Sequence, residues 1–206
     1  MFDIEDLKTD RLSPIKVIIS LRSIAIIVQI LALSIVTSLF DYHLALNHLI
    51  LVIFIEFVFN VGSFLVYRNK PAVADNQILF QLIFDVVILG FLLYFSGGAT
   101  NAFVSLLLIP IAVSALSLPL ISALIVMVLA IATYSFLLWF VPMEHHHGSM
   151  EGHYTGMWVN FIFSGLVVVV IISHMLKAIR IKDAELARFR EEQLAQENII
   201  ALGIAS

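Results

Sequence analysis

Three groups of residues in this chain are of types that could do chemistry. The first lies inside long apolar runs. Glu56 and Asn60 are four residues apart, as are Gln81 and Asp85, and Arg22, Gln29 and His174 also interrupt oily sequence. A four-residue spacing places each pair on one helix face. An acid at the centre of a membrane helix costs about 2.5–3.5 kcal/mol, so such residues are not placed there by indifference. Two chemistries fit: hydrogen-bonded glue between helices with a proton retained on each acid, or a proton-coupled or ligand-facing site with Arg22 as counter-charge. The second group is "PMEHHHGSMEGHYTGM", with His145, His146, His147 and His153 beside Met143, Met150 and Met157. Imidazole and thioether ligands suit copper or zinc. Adjacent histidines do not all face one ion, so a solvated, pH-responsive loop is the other reading. The third is "YFSGGATNAF", residues 94–103. Gly97 and Gly98 allow backbone shapes and close approach that other residues resist. Thr100 and Asn101 can cap a following helix, and Phe103 opens its apolar face. Together these residues make either a plain hairpin turn or a shallow pocket suited to an amphipathic ligand with carbonyl oxygens. No P-loop, nucleophile elbow, His-Glu-Xaa-Xaa-His run or triad spacing occurs, so no enzyme is read within these residues.

The elements that must position these groups are membrane helices. Of 206 residues, 61% are hydrophobic and 13% charged, with a mean hydropathy of +1.05. A soluble domain carries roughly a quarter charged residues. The absence of cysteine excludes a disulfide framework, a thiol switch and a cysteine metal site within the chain. The N-terminal segment carries four acids and does not read as a cleaved signal peptide. Six apolar runs, 17–39, 47–66, 77–95, 102–118, 120–141 and 157–176, are each near the ~20 residues that cross ~30 Å of hydrocarbon. The fold expected is all-α: a six-transmembrane-helix bundle over 17–176, a cytoplasmic segment 1–16 before it and a cytoplasmic signalling helix 177–206 after it. Pro110 falls inside the fourth run and predicts a kink, and Pro119 either separates the fourth and fifth runs in a very tight turn or bends them as one element. All eleven Lys and Arg fall at 8–22, 68–70 and 177–190, which six spans place on one side. The positive-inside rule then puts both termini in the cytoplasm. Leu186, Phe189, Gln193, Gln196, Ile200 and Gly203 recur at heptad spacing, which a dimeric coiled coil or a solvated helix would both carry. No internal repeat and no low-complexity tract is present.

Residues 81–119 resemble the membrane region of RegB/PrrB-type redox sensor histidine kinases. That family carries Gly-Gly-Xaa-Xaa-Asn-Pro-Phe between its third and fourth spans. Gly97, Gly98, Asn101 and Phe103 match, and Ala102 stands in place of the proline. Asp85, Pro110 and Pro119, the stretch "LRSIAIIVQ" with Arg22 and Gln29, and "GMWVNF" at 156–161 are also similar. The resemblance implies a membrane sensor region of a two-component kinase in the bacterial inner membrane. It implies ubiquinone or a related quinone bound near Gly97–Phe103, with Asn101 or neighbouring backbone N–H groups on a carbonyl and Phe103 on the ring. It also implies a homodimer, a cognate response regulator, and a kinase core with its phosphoacceptor histidine, ATP and Mg beyond these residues. Lipid and quinone are the partners expected here, and nucleic acid is not. Three rivals remain on the residues alone: a metal or pH receptor built on the histidine loop, a small membrane enzyme or transporter using Glu56 and Asp85, and a structural oligomerising module.

Overall fold

In hydrocarbon every backbone polar group must be satisfied within its own segment, so long apolar runs become helices. The computed structural model describes residues 14–39, 45–70, 73–140 and 151–204, and among these there is no strand. The α-helices are α1 (Pro14–Leu39), α2 (Leu46–Tyr67), α3 (Asp75–Phe95), α4 (Leu108–Ser117), α5 (Leu120–Phe140) and α6 (Glu151–Ile204). Five of them, all but α4, are long and apolar enough to cross a membrane.

Polarity is distributed inside out. Arg22, Glu56, Asn60, Ser63, Gln81 and Ser114 are buried, while Ile27, Phe54, Phe80, Phe140 and Phe163 are more than half exposed. In water that arrangement would be costly on both counts. In lipid it is the favourable one, because apolar side chains lose nothing by facing acyl tails. The chain is an integral membrane protein.

The fourth apolar run departs from the single α-helix expected over 102–118. Ala102–Leu107 is a 3-10 helix and only Leu108–Ser117 is α-helical. Pro110 has no N–H to give the carbonyl of Leu106, so an α ladder cannot run back through this point. The predicted kink thus takes the form of a change of helix type, with Pro110 in the first turn of α4. Leu118, ahead of Pro119, is extended at φ −122° and ψ 161°, as the residue before proline prefers. α4 and α5 are therefore separate helices and not one bent element.

α3 joins two halves. On one side α1 packs against α2, and both touch α3; on the other, α4, α5 and α6 pack on one another, with α3 against α5. Small residues permit close approach in the second half: Ala115, Ala123 and Ala130 are buried there with Ile111, Val126 and Tyr134. A methyl on Gly90 of α3 would stand 2.8 Å from the Thr133 methyl of α5, so glycine sets that spacing. α6 is continuous for 54 residues, about 81 Å at ~1.5 Å per residue, and has no break where the membrane run was expected to end at 176. Phe161 and Val169 are buried against the bundle, whereas the described side chains from Lys177 to Leu194 are exposed.

Candidate functional site

Arg22 is the centre of the intramembrane polar group. It enters from α1, and α3 meets it with Gln81 and Asp85, four residues apart and hence on one face. Arg22 Nε donates to Asp85 Oδ1 at 2.7 Å, Nη1 to the Gln81 side-chain oxygen at 3.0 Å, and Nη2 to the Gln81 backbone carbonyl at 3.3 Å. A planar fork of donors suits this three-way engagement, which a lysine could not reproduce. The guanidinium also lies 4.8 Å from the Phe59 ring centre and 5.8 Å from that of Phe84. Those two rings are stacked with each other.

α2 supplies the rest of the group. Ser63 Oγ donates to the same Gln81 oxygen at 3.1 Å, and Asn60 Nδ2 donates to Ser23 Oγ at 2.8 Å. Ser23 in turn donates to the Ile19 carbonyl at 2.9 Å. Arg22, Asn60, Gln81 and Asp85 are thereby gathered where α1, α2 and α3 meet. Glu56 joins them differently. It is only 5% exposed, its Oε2 has no hydrogen-bond partner among the described residues, and Gln29 of α1 faces it. Gln29 Oε1 is likewise buried without a partner. Both residues, with Arg22 and Asp85, border a cavity of about 280 Å³ between α1 and the fourth run.

The glycine loop is a second polar region, at the other end of α3. Gly97 has φ +126° and Gly98 φ +64°, left-handed values that explain two glycines in succession. They turn the chain into a short 3-10 turn, Gly98–Thr100, which packs against α3 and α5. Asn101 then caps the fourth run: its Oδ1 accepts from the Phe103 N–H at 2.8 Å. Its amide nitrogen donates to the Ser96 carbonyl at 2.9 Å and to Ser96 Oγ at 2.6 Å. Both amide hydrogens of Asn101 are therefore engaged inside the loop. Thr100 does not cap forward; its hydroxyl donates back to the Gly97 carbonyl at 2.9 Å. Phe103 is 54% exposed on the outer face of the run.

His145, His146 and His147 lie outside the described residues, and the backbone of His153 falls in the first turn of α6. Among the described residues no three His, Asp or Glu side chains gather as a metal would need. Sequence reasoning passed over Ser23, Ser63, Phe59, Phe84 and Ser96. The signal for Ser63 was present, since it continues the Glu56–Asn60 stripe at three residues' spacing. The role of Ser96 depends on how the loop folds back, which residue types do not disclose.

The chain is 27% identical over 136 residues to the sensor histidine kinase RegB of Cereibacter sphaeroides, a match covering 66% of this chain and 29% of that protein. No family model matches the chain. No solved structure matches it either.

Proposed function

We propose that this chain is the membrane sensor region of a two-component sensor histidine kinase, responding to the redox state of a quinone pool. The observation that carries the reading is α6. It is packed into the bundle through Phe161 and Val169 and continues without interruption for the 54 residues of Glu151–Ile204. A rigid rod joined to a membrane core passes a shift or rotation to whatever follows it. Similarity to RegB supports the output being a kinase.

The bundle would cross the membrane six times, with both termini in the cytoplasm of a bacterial inner membrane. The fourth run supports this in spite of its shortness. Six residues of 3-10 helix at ~2.0 Å rise and ten of α-helix at ~1.5 Å give about 27 Å, close to the hydrocarbon thickness. An even count also keeps the positive segments on one side. Exposed Leu186 and Phe189 on α6 suit pairing with a second copy in a coiled coil. A response regulator, and ATP with Mg, would belong to a kinase core.

The quinone head would sit at Gly97–Phe103. Phe103 offers a ring face at the lipid boundary, and Gly97 and Gly98 permit close approach. Because Asn101 uses both amide hydrogens on Ser96, the donors to a quinone carbonyl fall to backbone N–H groups, with Asn101 shaping the turn. Only a difference in affinity between quinone and quinol shifts the bundle's equilibrium. Ordinary couplings of about 1–3 kcal/mol change output several-fold to a hundredfold.

Titration of the chain in lipid nanodiscs with oxidised and reduced decylubiquinone tests this, read by tryptophan fluorescence. Trp139 and Trp158, 5.4 Å apart between ring centres, stand at the loop's end of α5 and α6. Saturable binding is expected, weakened about two- to tenfold in Phe103→Ala, the worth of one aromatic contact. Binding that is unchanged in Phe103→Ala and Asn101→Ala together would remove the loop as the site.

A further inference from the structure

The intramembrane cavity has a side opening and unused acceptors, and the loop reading leaves both unexplained. α1 packs on α2 and α3, whereas the fourth run packs on α3, α5 and α6. The gap between α1 and the fourth run is the cavity, with Asp85 of α3 bordering its polar part. Its rim includes Ile24, Val28 and Ile109, which are 58%, 56% and 50% exposed, so the mouth faces the bilayer. Inside, Glu56 Oε2 and Gln29 Oε1 lack partners, while Arg22 beside them donates to Asp85 and Gln81. An acceptor left unmatched in a low-dielectric interior costs roughly 1–3 kcal/mol, which a donor arriving from outside would recover.

These features define an occupant. Entry from hydrocarbon requires a neutral, lipid-soluble molecule. Gln29 Oε1 only accepts, and the Glu56 carboxyl does the same when ionised, so in that state the two unmatched oxygens call for hydroxyl donors and not for carbonyls. A volume of about 280 Å³ lies at the lower end of ligand pockets and suits a head group whose tail stays in the lipid. We propose that the cavity is a second ligand site, entered sideways from the bilayer, where Glu56 and Gln29 accept hydrogen bonds from the hydroxyls of a dihydroxy aromatic head, the quinol form of the carrier. The choice of a ring carrier rests on the quinone reading above; the place, polarity and side of entry rest on the cavity alone. With Glu56 ionised, a quinone, which only accepts, would meet like groups there, so in that state the site discriminates redox state by donor pattern.

The test uses the full chain in nanodiscs, with equilibrium retention of decylubiquinol under anoxia and of decylubiquinone in air. Glu56→Gln keeps the shape and replaces an acceptor with an amide donor. It is expected to weaken quinol binding tenfold or more while quinone binding holds or tightens. Val113→Trp fills the cavity and is expected to abolish binding there. Should Glu56→Gln fail to assemble, Gln29→Leu removes the other acceptor in its place, with the same expected loss of quinol. If quinol binding survives the acceptor variant, the proposal falls, even where Val113→Trp reduces it, because the cavity would then be a slot without donor recognition. The paired variant Asn101→Ala with Phe103→Ala separates this site from the loop. Loss only in the loop variant overturns the cavity and keeps the loop. Loss only in the cavity variants overturns the loop and keeps the cavity, and loss of one of two bound equivalents in each set supports both. Absence of binding to the unaltered chain overturns both.

Discussion

The glycine loop and the intramembrane group are both polar, yet one is closed and the other open. In the loop, the Asn101 side chain is engaged at both ends: its oxygen holds the Phe103 N–H and its nitrogen holds Ser96 twice. In the membrane group, the Arg22 network is just as well made, but Glu56 and Gln29 beside it retain oxygens that no described residue satisfies. Residue types invert this. "SGGATN" resembles a binding motif and turns out to brace itself, whereas a lone acid in an apolar helix resembles structural glue and turns out to have capacity left over. Spare hydrogen-bonding capacity at a lipid-facing cavity is a more direct sign of a ligand than a motif whose polar atoms are already engaged.

The strongest break in the comparison is Arg22→Leu. It strands Asp85, whose side chain is only 19% exposed, and removes one of the two donors to the Gln81 side-chain oxygen. Removing one member of a buried pair costs about 3–5 kcal/mol. Reversible unfolding in mixed detergent should show a loss of that size. Replacing both residues, with Arg22→Leu and Asp85→Leu together, should restore most of it, because the stranded charge is gone. A single variant no less stable than the unaltered chain would mean that the network is peripheral to the fold.

How much of this was legible in the sequence follows the same division. Apolar length locates α1, α2, α3 and α5 to within a few residues, and the four-residue spacings locate one polar face on each of α2 and α3. Arg22 as counter-charge to the intramembrane acids is also readable, since it is a cation inside an apolar run, but its choice of Asp85 over Glu56 is not. What the sequence hides is competition for hydrogen bonds. "AFVSLL" contains ordinary helix formers, and its 3-10 form depends on the Asn101 cap behind it and on Pro110 ahead. Which group Asn101 binds, and which carboxyl is left over, depends on distances between helices far apart in the chain. The continuity of α6 across the expected membrane boundary is hidden for another reason: residues near 177 favour helix on either side of that boundary, so composition shifts there while conformation does not.

The loop should yield smaller effects, of kinds that report conformation and not charge. A methyl added to Gly97 meets nothing within 4 Å, so Gly97→Ala isolates the cost of its φ of +126°. A residue held in such a region costs of order 1–3 kcal/mol, and the same unfolding measurement should lose that much. Asn101→Ala should lose about 1 kcal/mol, the usual worth of a helix cap. A loss above about 2 kcal/mol from Asn101→Ala would indicate that Asn101 does more than cap, its Ser96 contacts then carrying weight of their own.

Ala102→Pro sharpens the comparison by the smallest amount and in the opposite direction. Position 102 is the first residue of the 3-10 helix, where a missing N–H is least costly. Asn101 ahead of it already sits at φ −68° and ψ 129°, the extended backbone that a following proline demands. The loop thus holds, through the Asn101 cap, a geometry that proline would otherwise fix by its ring. Proline there should add about 0.4–1 kcal/mol by restricting the unfolded chain, with no new contact in the folded one. It should also reduce the penalty of Asn101→Ala, because ring and cap would then hold the same backbone dihedral angles in place. If the two substitutions are instead strictly additive, the asparagine cap does not set the backbone at 101–102, and the loop's shape comes from the packing of Ala99 and Val104 beneath it.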